Sequence, residues 1–316
     1  MQAVEMLESF PSDIKSYNCQ VIDPQAFSGV ALCGMGGSGI VGDFMKVFLE
    51  RAELQSPVLS LKGYTLPAYV KGGWLVICTS YSGNTEETIS VLKEALKRGI
   101  KPVCVSSGGE LHSLASQNGL DYIQLPGGYP PRFALGHMLS ALMSLFGMHS
   151  EIEQIKETLE KYKSEVKEQA KVIAHSHLNY IPIIYSTPIT EVVALRWRTQ
   201  HNENSKTLCY NATLPEMHHN EVVGLDNQEL LSNLAFCILY DPQDHPRIIK
   251  RVKITQEILQ EKGIMPRIMA GKGTSIYERL LYLTYLGDWI SFYLAGLYKK
   301  DPLPVEVIDF IKKSLS

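Results

Sequence analysis

The sequence has no apolar run near the roughly 20 residues needed to cross a bilayer. Its start, Met1-Gln2-Ala3-Val4-Glu5-Met6, lacks the basic-then-apolar order of a signal peptide. It has no basic tract: 30 Lys and Arg stand against 33 Asp and Glu, a formal net charge of −3, so nothing in its charge favours a nucleic-acid partner. Its six cysteines (Cys19, Cys33, Cys78, Cys104, Cys209 and Cys237) include no C-x-x-C pair, and most sit in apolar, strand-like runs. They read as reduced core thiols of a cytoplasmic protein. Internal repeats and low-complexity segments are also missing. What is present is the composition of an ordinary globular protein, 45% hydrophobic and 20% charged over 316 residues, long enough for two domains.

Strand and helix signals alternate through the first half. Strands are expected near 30–33, 57–61, 74–79, 102–106 and 121–125, and helices near 39–50, 84–98, 109–117 and 132–147. Such alternation implies a parallel sheet covered on both faces. Residues 151–175 carry Ile152, Ile155, Leu159, Tyr162 and Val166 at helical spacing and read as a long connecting helix. Alternation then resumes, with strands at 181–186, 206–210, 234–240 and 265–269 and helices at 189–203, 244–261, 275–298 and 304–314. Thr187-Pro188 is a start signal for the helix at 189, with Thr as N-cap. The helix at 275–298 is apolar over much of its circumference and should be buried, a subunit interface being one place for it. The expected fold is α/β, with domains 1–150 and 151–316.

Two segments combine strand, small-residue turn and helix start. Gly34-Met35-Gly36-Gly37-Ser38-Gly39 follows Val30-Ala31-Leu32, and Ser80-Tyr81-Ser82-Gly83-Asn84-Thr85 follows Trp74-Leu75-Val76-Ile77. Each turn brings free N–H groups and the positive end of a helix dipole to one point. Gly34, Gly36 and Gly39 also fit the dinucleotide fingerprint G-x-G-x-x-G. That reading needs an acidic residue at the end of the second strand, which here ends in Lys62, and it leaves the second turn without a role. A phosphomonoester held between two adjacent turns accounts for both. Either turn alone is equally well read as an ordinary tight turn with an N-cap.

The second chemical stretch is Asn202-Glu203-Asn204-Ser205-Lys206, followed by Leu214-Pro215-Glu216-Met217-His218-His219-Asn220-Glu221. Aldose–ketose isomerisation needs a base to move a proton between C1 and C2, a group to open the sugar ring, and donors to steady the enediolate. Carboxylate and imidazole suit these tasks. The bland alternatives are a solvated Glu203 at a helix end and a metal role for His218 and His219, although no H-x-E or H-E-x-x-H spacing accompanies them.

At these residues the chain resembles the SIS (sugar isomerase) family, and within it the bifunctional phosphoglucose/phosphomannose isomerases. The resemblance covers both turns, Pro131-Arg132-Phe133-Ala134-Leu135, the Asn-Glu-Asn-Ser-Lys and Pro-Glu-Met-His-His-Asn-Glu segments, and the last helix with Lys312. It implies two SIS-type subdomains, each a mostly parallel sheet flanked by helices. It implies a homodimer that isomerises glucose 6-phosphate and mannose 6-phosphate to fructose 6-phosphate through a cis-enediol, with no cofactor and no metal. Gly37, Ser38, Ser80, Ser82 and Thr85 would contact the substrate phosphate. Glu203 would be the base, His219 would assist ring opening from the other subunit, Arg132 would stabilise the enediolate, and Lys312 would line the sugar site. Some family members carry Thr at the start of the last helix, leaving room for either C2 epimer. The matching position here is Val305, which weakens the mannose 6-phosphate expectation relative to glucose 6-phosphate. Without the resemblance, Arg132 reads as a surface charge and Lys312 as a solvated helix-end lysine. The competing functions are a sugar-phosphate sensor without catalysis, an isomerase of another sugar phosphate, and an NAD-linked oxidoreductase, the last disfavoured by Lys62.

Overall fold

A computed structural model describes residues 2–315. Two compact units divide between Glu157 and Thr158. The first contains α1 (Ala3–Asp13), β1 (Gly29–Cys33), α2 (Gly36–Arg51), β2 (Val58–Leu61), β3 (Trp74–Thr79), α3 (Glu86–Lys97), β4 (Val103–Ser106), α4 (Gly109–Asn118), β5 (Tyr122–Gln124) and α5 (Leu135–Leu145). Its five strands are all parallel, in the order β2-β1-β3-β4-β5. Strands β1 and β4 are buried along their whole length and β3 after its first residue, as a sheet covered on both faces requires. Ala31, Cys33, Val76, Cys78 and Cys104 pack on one face with Ile89 and Leu92 of α3 and Leu111 of α4.

Helix α6 (His149–His177) crosses the boundary between the units. The second unit continues with β6 (Ile181–Ser186), α7 (Glu191–Gln200), β7 (Tyr210–Thr213), α8 (Gln228–Leu231), β8 (Leu234–Tyr240), α9 (Pro246–Glu261), β9 (Arg267–Ala270), α10 (Ile276–Leu297) and α11 (Glu306–Leu315). Its four strands are parallel in the order β7-β6-β8-β9. All six cysteines are free, and five are buried.

Four features differ from the sequence expectations. Helix α1 was not expected, although its buried Ala3, Met6, Leu7 and Phe10 recur at helical spacing. Helix α7 starts at Glu191 with Thr190, not Thr187, at the cap position; Thr187 donates its N–H to Thr190 Oγ1 at 3.0 Å in the preceding turn. Strand β7 begins at 210 rather than 206, because a π-turn (His201–Ser205) extends α7 and Lys206 ends it in the left-handed region, φ 56°. Helix α10 is buried within the single chain, including Leu280, Leu281, Leu283, Leu286, Trp289 and Ile290. Its apolar surface therefore no longer argues for a subunit interface.

The last turn of α7 is locked from two sides. On one side Arg196 forms a buried bidentate pair with Asp288 of α10, at 3.0 and 2.7 Å. Trp197 lies over Gly287 and donates to Leu283 O at 2.8 Å. A Cβ at Gly287 would meet the indole nitrogen at 2.1 Å, so only glycine admits the ring. On the other side runs a chain of neutral donors. His201 Nδ1 contacts Trp197 O at 2.8 Å, its Nε2 meets His177 Nδ1 at 3.1 Å, and His177 Nε2 meets Cys237 Sγ at 3.3 Å. Since Trp197 O only accepts, each imidazole donates toward it and the thiol donates last. Burial pushes His201 down to about 4, drives His177 well below its ordinary value with help from the neighbouring His201, and raises the Cys237 thiol to about 12.

Two outcomes are expected. Gly287→Ala should destabilise the protein by about 1–3 kcal/mol through overpacking, read as a lower midpoint in urea. Unchanged stability would contradict the close packing of Trp197. The histidine pair is neutral when folded and free to protonate near 6.5 when unfolded. Its contribution is complete above about pH 6.5 and is lost as pH falls toward 4, by about 1.4 kcal/mol per pH unit for each histidine. His201→Asn should flatten the stability curve over that window, and equal slopes in variant and parent would refute the assignment.

Candidate active site

In the first sheet the chain order reverses between β1 and β3. The turns after these two strands therefore sit side by side at the carboxyl edge, where open α/β sheets bind ligands. Helix α2 starts at Gly36 and α3 at Glu86. The first N–H groups of each precede any helical carbonyl able to accept them. The two turns are joined directly: Tyr81 N–H donates to Ser38 Oγ at 3.0 Å, and Ser38 Oγ donates to Met138 Sδ at 3.4 Å. Ser80 Oγ bonds Thr85 Oγ1 at 2.8 Å and accepts the Gly83 N–H at 3.1 Å. The hydroxyls of Ser38 and Ser80, both buried, thus shape the turns, whereas Gly36 and Ser82 are exposed and Gly37 and Thr85 half-buried.

Arg132 joins this group. It lies on a single turn of 3₁₀ helix (Pro131–Phe133) just before α5, is 4% exposed, and stands 5.1 Å over the Phe133 ring. It is therefore not a surface charge. A Cβ at Gly37 would come within 2.8 Å of Pro131 O and 2.9 Å of Arg132 N, so a side chain there would push the arginine loop off the first turn. Lys62, at the end of β2, pairs with Asp43.

The second sheet reverses between β6 and β8, but its crevice is filled by protein. Thr190 Oγ1 donates to Leu239 O at 2.9 Å, and Arg279 holds Asp241 at 2.7 and 3.1 Å, with all three side chains buried. The second unit instead offers the C-terminal end of α7. There the π-turn lifts Glu203 away from its buried neighbours His201, Asn204 and Ser205 and leaves it half-buried. Asn204 is tied to Ser291 Oγ at 3.0 Å and Ser205 Oγ to His201 O at 2.7 Å. π-bulges recur at functional sites because they re-aim a side chain inside a helix. Lys206 donates to the Glu203 carbonyl and, at 2.8 Å, to Pro304 O, tying the segment before α11 to the same turn. A cavity of about 650 Å³ opens here, lined by Glu203, Lys206, Leu208, Lys300, Val305 and Glu306 among others. Val305 and Glu203 are thus brought together.

Lys312 and His219 do not line that cavity. Lys312 lies further along α11, where every described side chain is exposed. His219 ends a 3₁₀ turn (Glu216–His219) and is also exposed. Its neighbour His218 is engaged at both nitrogens. Nδ1 meets Arg251 at 3.0 Å, so it accepts, and Nε2 donates to Thr255 Oγ1 at 2.8 Å. Burial, then Arg251 and His219, hold His218 below its ordinary value. Glu216 accepts from Asn220 Nδ2 at 2.9 Å. Among the described residues no group of three or more His, Cys, Asp or Glu is arranged to hold a metal. Sequence reasoning missed the His177–His201–Cys237 chain beneath Glu203, since residues 24 and 60 positions apart carry no spacing signal.

Residues 166–315 match the bacterial phospho-glucose isomerase C-terminal SIS domain. The chain is 45% identical to a bifunctional phosphoglucose/phosphomannose isomerase of Aquifex aeolicus, over 93% of this chain and 92% of the relative. It is 40% identical to one of Caldicellulosiruptor bescii, over 91% and 89%. The crystal structure of a hypothetical protein of Thermus thermophilus superimposes with a TM-score of 0.73 at 15% identity, covering 99% of this chain and 86% of that one; this likeness extends to the fold. With two parallel sheets flanked by helices and identity of this extent, the chain belongs to the bifunctional phosphoglucose/phosphomannose isomerase family of SIS proteins.

Proposed function

We propose that the protein interconverts glucose 6-phosphate, and mannose 6-phosphate, with fructose 6-phosphate through a cis-enediol. The observation that carries this reading is Glu203, held half-exposed on a π-turn at the mouth of a 650 Å³ cavity in a chain 45% identical to an isomerase. The substrate phosphate binds the paired turns, chiefly through the free N–H groups at Gly36 and Gly37 and at the start of α3, with Ser82 and Thr85 as added donors. Ser38 and Ser80 serve mainly to hold those turns in shape. His219 assists ring opening. Glu203 then takes the C2 proton of the aldose and returns it to C1. Arg132 steadies the enediolate charge, and Lys312, which lies outside the cavity of the single chain, is the lysine expected at the sugar site. No step needs a metal or cofactor. Val305 lines the cavity, and by the resemblance drawn from the sequence it favours glucose 6-phosphate over its C2 epimer.

The working form is a homodimer in the cytoplasm. His219 and Lys312 are exposed in the single chain, and so are Val307, Phe310 and Leu315 of α11, at 73, 70 and 68%. A second copy covering α11 would bury that apolar face, and the dimer reading has His219 act in the partner's site. The free cysteines agree with a reducing compartment.

Glu203→Gln keeps shape and hydrogen bonding but cannot take up the proton. Turnover should fall by a factor on the order of 10²–10⁴, with solvent exchange of the C2 hydrogen falling in parallel and fructose 6-phosphate binding retained. Near-parental turnover would defeat the assignment and make Glu216 the next candidate. The assembly is tested by light scattering. The parent should be a dimer, and Phe310→Glu should yield an inactive monomer. A fully active monomer would show that the site is complete within one chain.

A further inference from the structure

Tyr81 stands between the two serines of the second turn, yet its side chain takes no part in that turn. It is 4% exposed, and its backbone already serves two other elements. Its N–H donates to Ser38 Oγ at 3.0 Å, and its carbonyl accepts from Ser107 N at 2.9 Å and Ser107 Oγ at 2.7 Å. The phenol reaches elsewhere. It donates to Pro126 O at 2.7 Å and accepts the Tyr129 N–H at 3.1 Å. Burial raises the phenol above its ordinary value, which keeps the proton needed to donate.

The loop so held is Pro126-Gly127-Gly128-Tyr129-Pro130-Pro131, which delivers Arg132. Pro126, Gly127 and Gly128 are exposed, and Gly128 takes a φ of 97°. Both main-chain hydrogen bonds described for residues 126–129 end on the Tyr81 hydroxyl. The far side of the loop is steadied by Tyr129. Its hydroxyl donates to Asp13 Oδ1 at 3.4 Å, and its ring meets His137 edge-on at 5.1 Å. A stretch with two glycines has high conformational entropy to suppress, and one oxygen atom holds it at both Pro126 and Tyr129.

We propose that Tyr81 is a positioning residue for isomerisation: its hydroxyl fixes the Arg132 loop against the phosphate-binding turns, so that the cation sits over the sugar carbons while the turns hold the phosphate. The inference rests on the proposed isomerase reading and on Arg132 acting at the enediolate. It assigns separate tasks to parts of one residue. The backbone of Tyr81 builds the turn, and its hydroxyl places the arginine.

Tyr81→Phe removes the hydroxyl and keeps the ring packing and both backbone contacts. The kcat should fall on the order of ten- to a hundredfold, the usual effect of a misplaced catalytic group. The KM for fructose 6-phosphate and competitive inhibition by inorganic phosphate should stay within about twofold, since the phosphate contacts are kept. In an Arg132→Ala background the same change should cost nothing further, because the two residues act as one unit. Phosphate inhibition weakened as much as kcat would make Tyr81 part of the phosphate site and overturn the proposal. A full further loss in the Arg132→Ala background would likewise overturn it. A parent protein with no turnover on sugar phosphates defeats the isomerase reading itself, whereas an active parent with unchanged Tyr81→Phe defeats this inference alone. If Tyr81→Phe fails to fold, Tyr129→Phe frees the same loop from Asp13 and should show the same kcat-only loss in milder form; an effect on KM instead would be fatal.

Discussion

One hydrogen bond, from Tyr81 N–H to Ser38 Oγ at 3.0 Å, joins the turns that follow β1 and β3. It exists because the strand order reverses between those two strands, so the chain leaves the sheet twice at neighbouring points on one edge. The neighbouring Gly37 and Arg132 are fitted to that contact. Gly37 must lack a side chain because Pro131 and Arg132 pass within 3 Å of where its Cβ would stand. Arg132 is buried because it is pressed between this turn and the start of α5. A buried guanidinium just ahead of a helix N-terminus is electrostatically poor by itself. The ring of Phe133 offsets part of the cost, and the substrate phosphate proposed for the adjacent turns would offset more.

The second unit repeats the topology without repeating the site. Its own reversal point is occupied by Thr190 and by the Arg279–Asp241 pair. The proposed base lies instead at the opposite end of a helix. A helix C-terminus repels phosphate but places a carboxylate beside free carbonyls rather than free amides. Presenting Glu203 there takes rigidity, supplied by the Arg196–Asp288 pair, the indole over Gly287, and the two neutral imidazoles. Each holds α7 or its π-turn to α10, α6 or β8. The glutamate itself stays half-exposed on a frame that is almost wholly buried.

The sequence was legible where physical signals are local. Continuous apolar runs mark β1, β3 and β8, and helical spacing marks α6, because burial on both faces or on one stripe leaves a pattern within a few residues. The paired turns were legible because glycine and hydroxyl residues are required there by backbone geometry. The start of β7 was not legible. It depends on a π-turn and a left-handed Lys206, and that conformation is set by Ser291 of α10 and by Pro304, far along the chain. The burial of Arg132, the neutral histidine chain and the grip of Tyr81 on residues 126–129 were equally hidden, since each joins residues tens of positions apart. The apolar character of α10 was read correctly as a sign of burial but gave no sign of what buries it.

That last point transfers the case for assembly from one helix to another. With α10 enclosed by its own chain, one exposed apolar surface is the face of α11, where Val307, Phe310, Ile311 and Leu315 share one side. A ten-residue helix with no buried side chain is marginal in water by its own propensity. Its fastening to Lys206 through Pro304 anchors the end that borders the cavity. An enediol intermediate also demands a site from which water is excluded, and the single chain leaves its exposed histidine and C-terminal lysine facing solvent. In the proposed homodimer, a partner that covered α11 would give the helix an apolar contact and would close the wall of the cavity beside Glu203. On the proposed homodimer, the stability of α11 and the competence of the site beside Glu203 would be one physical problem, which association would solve.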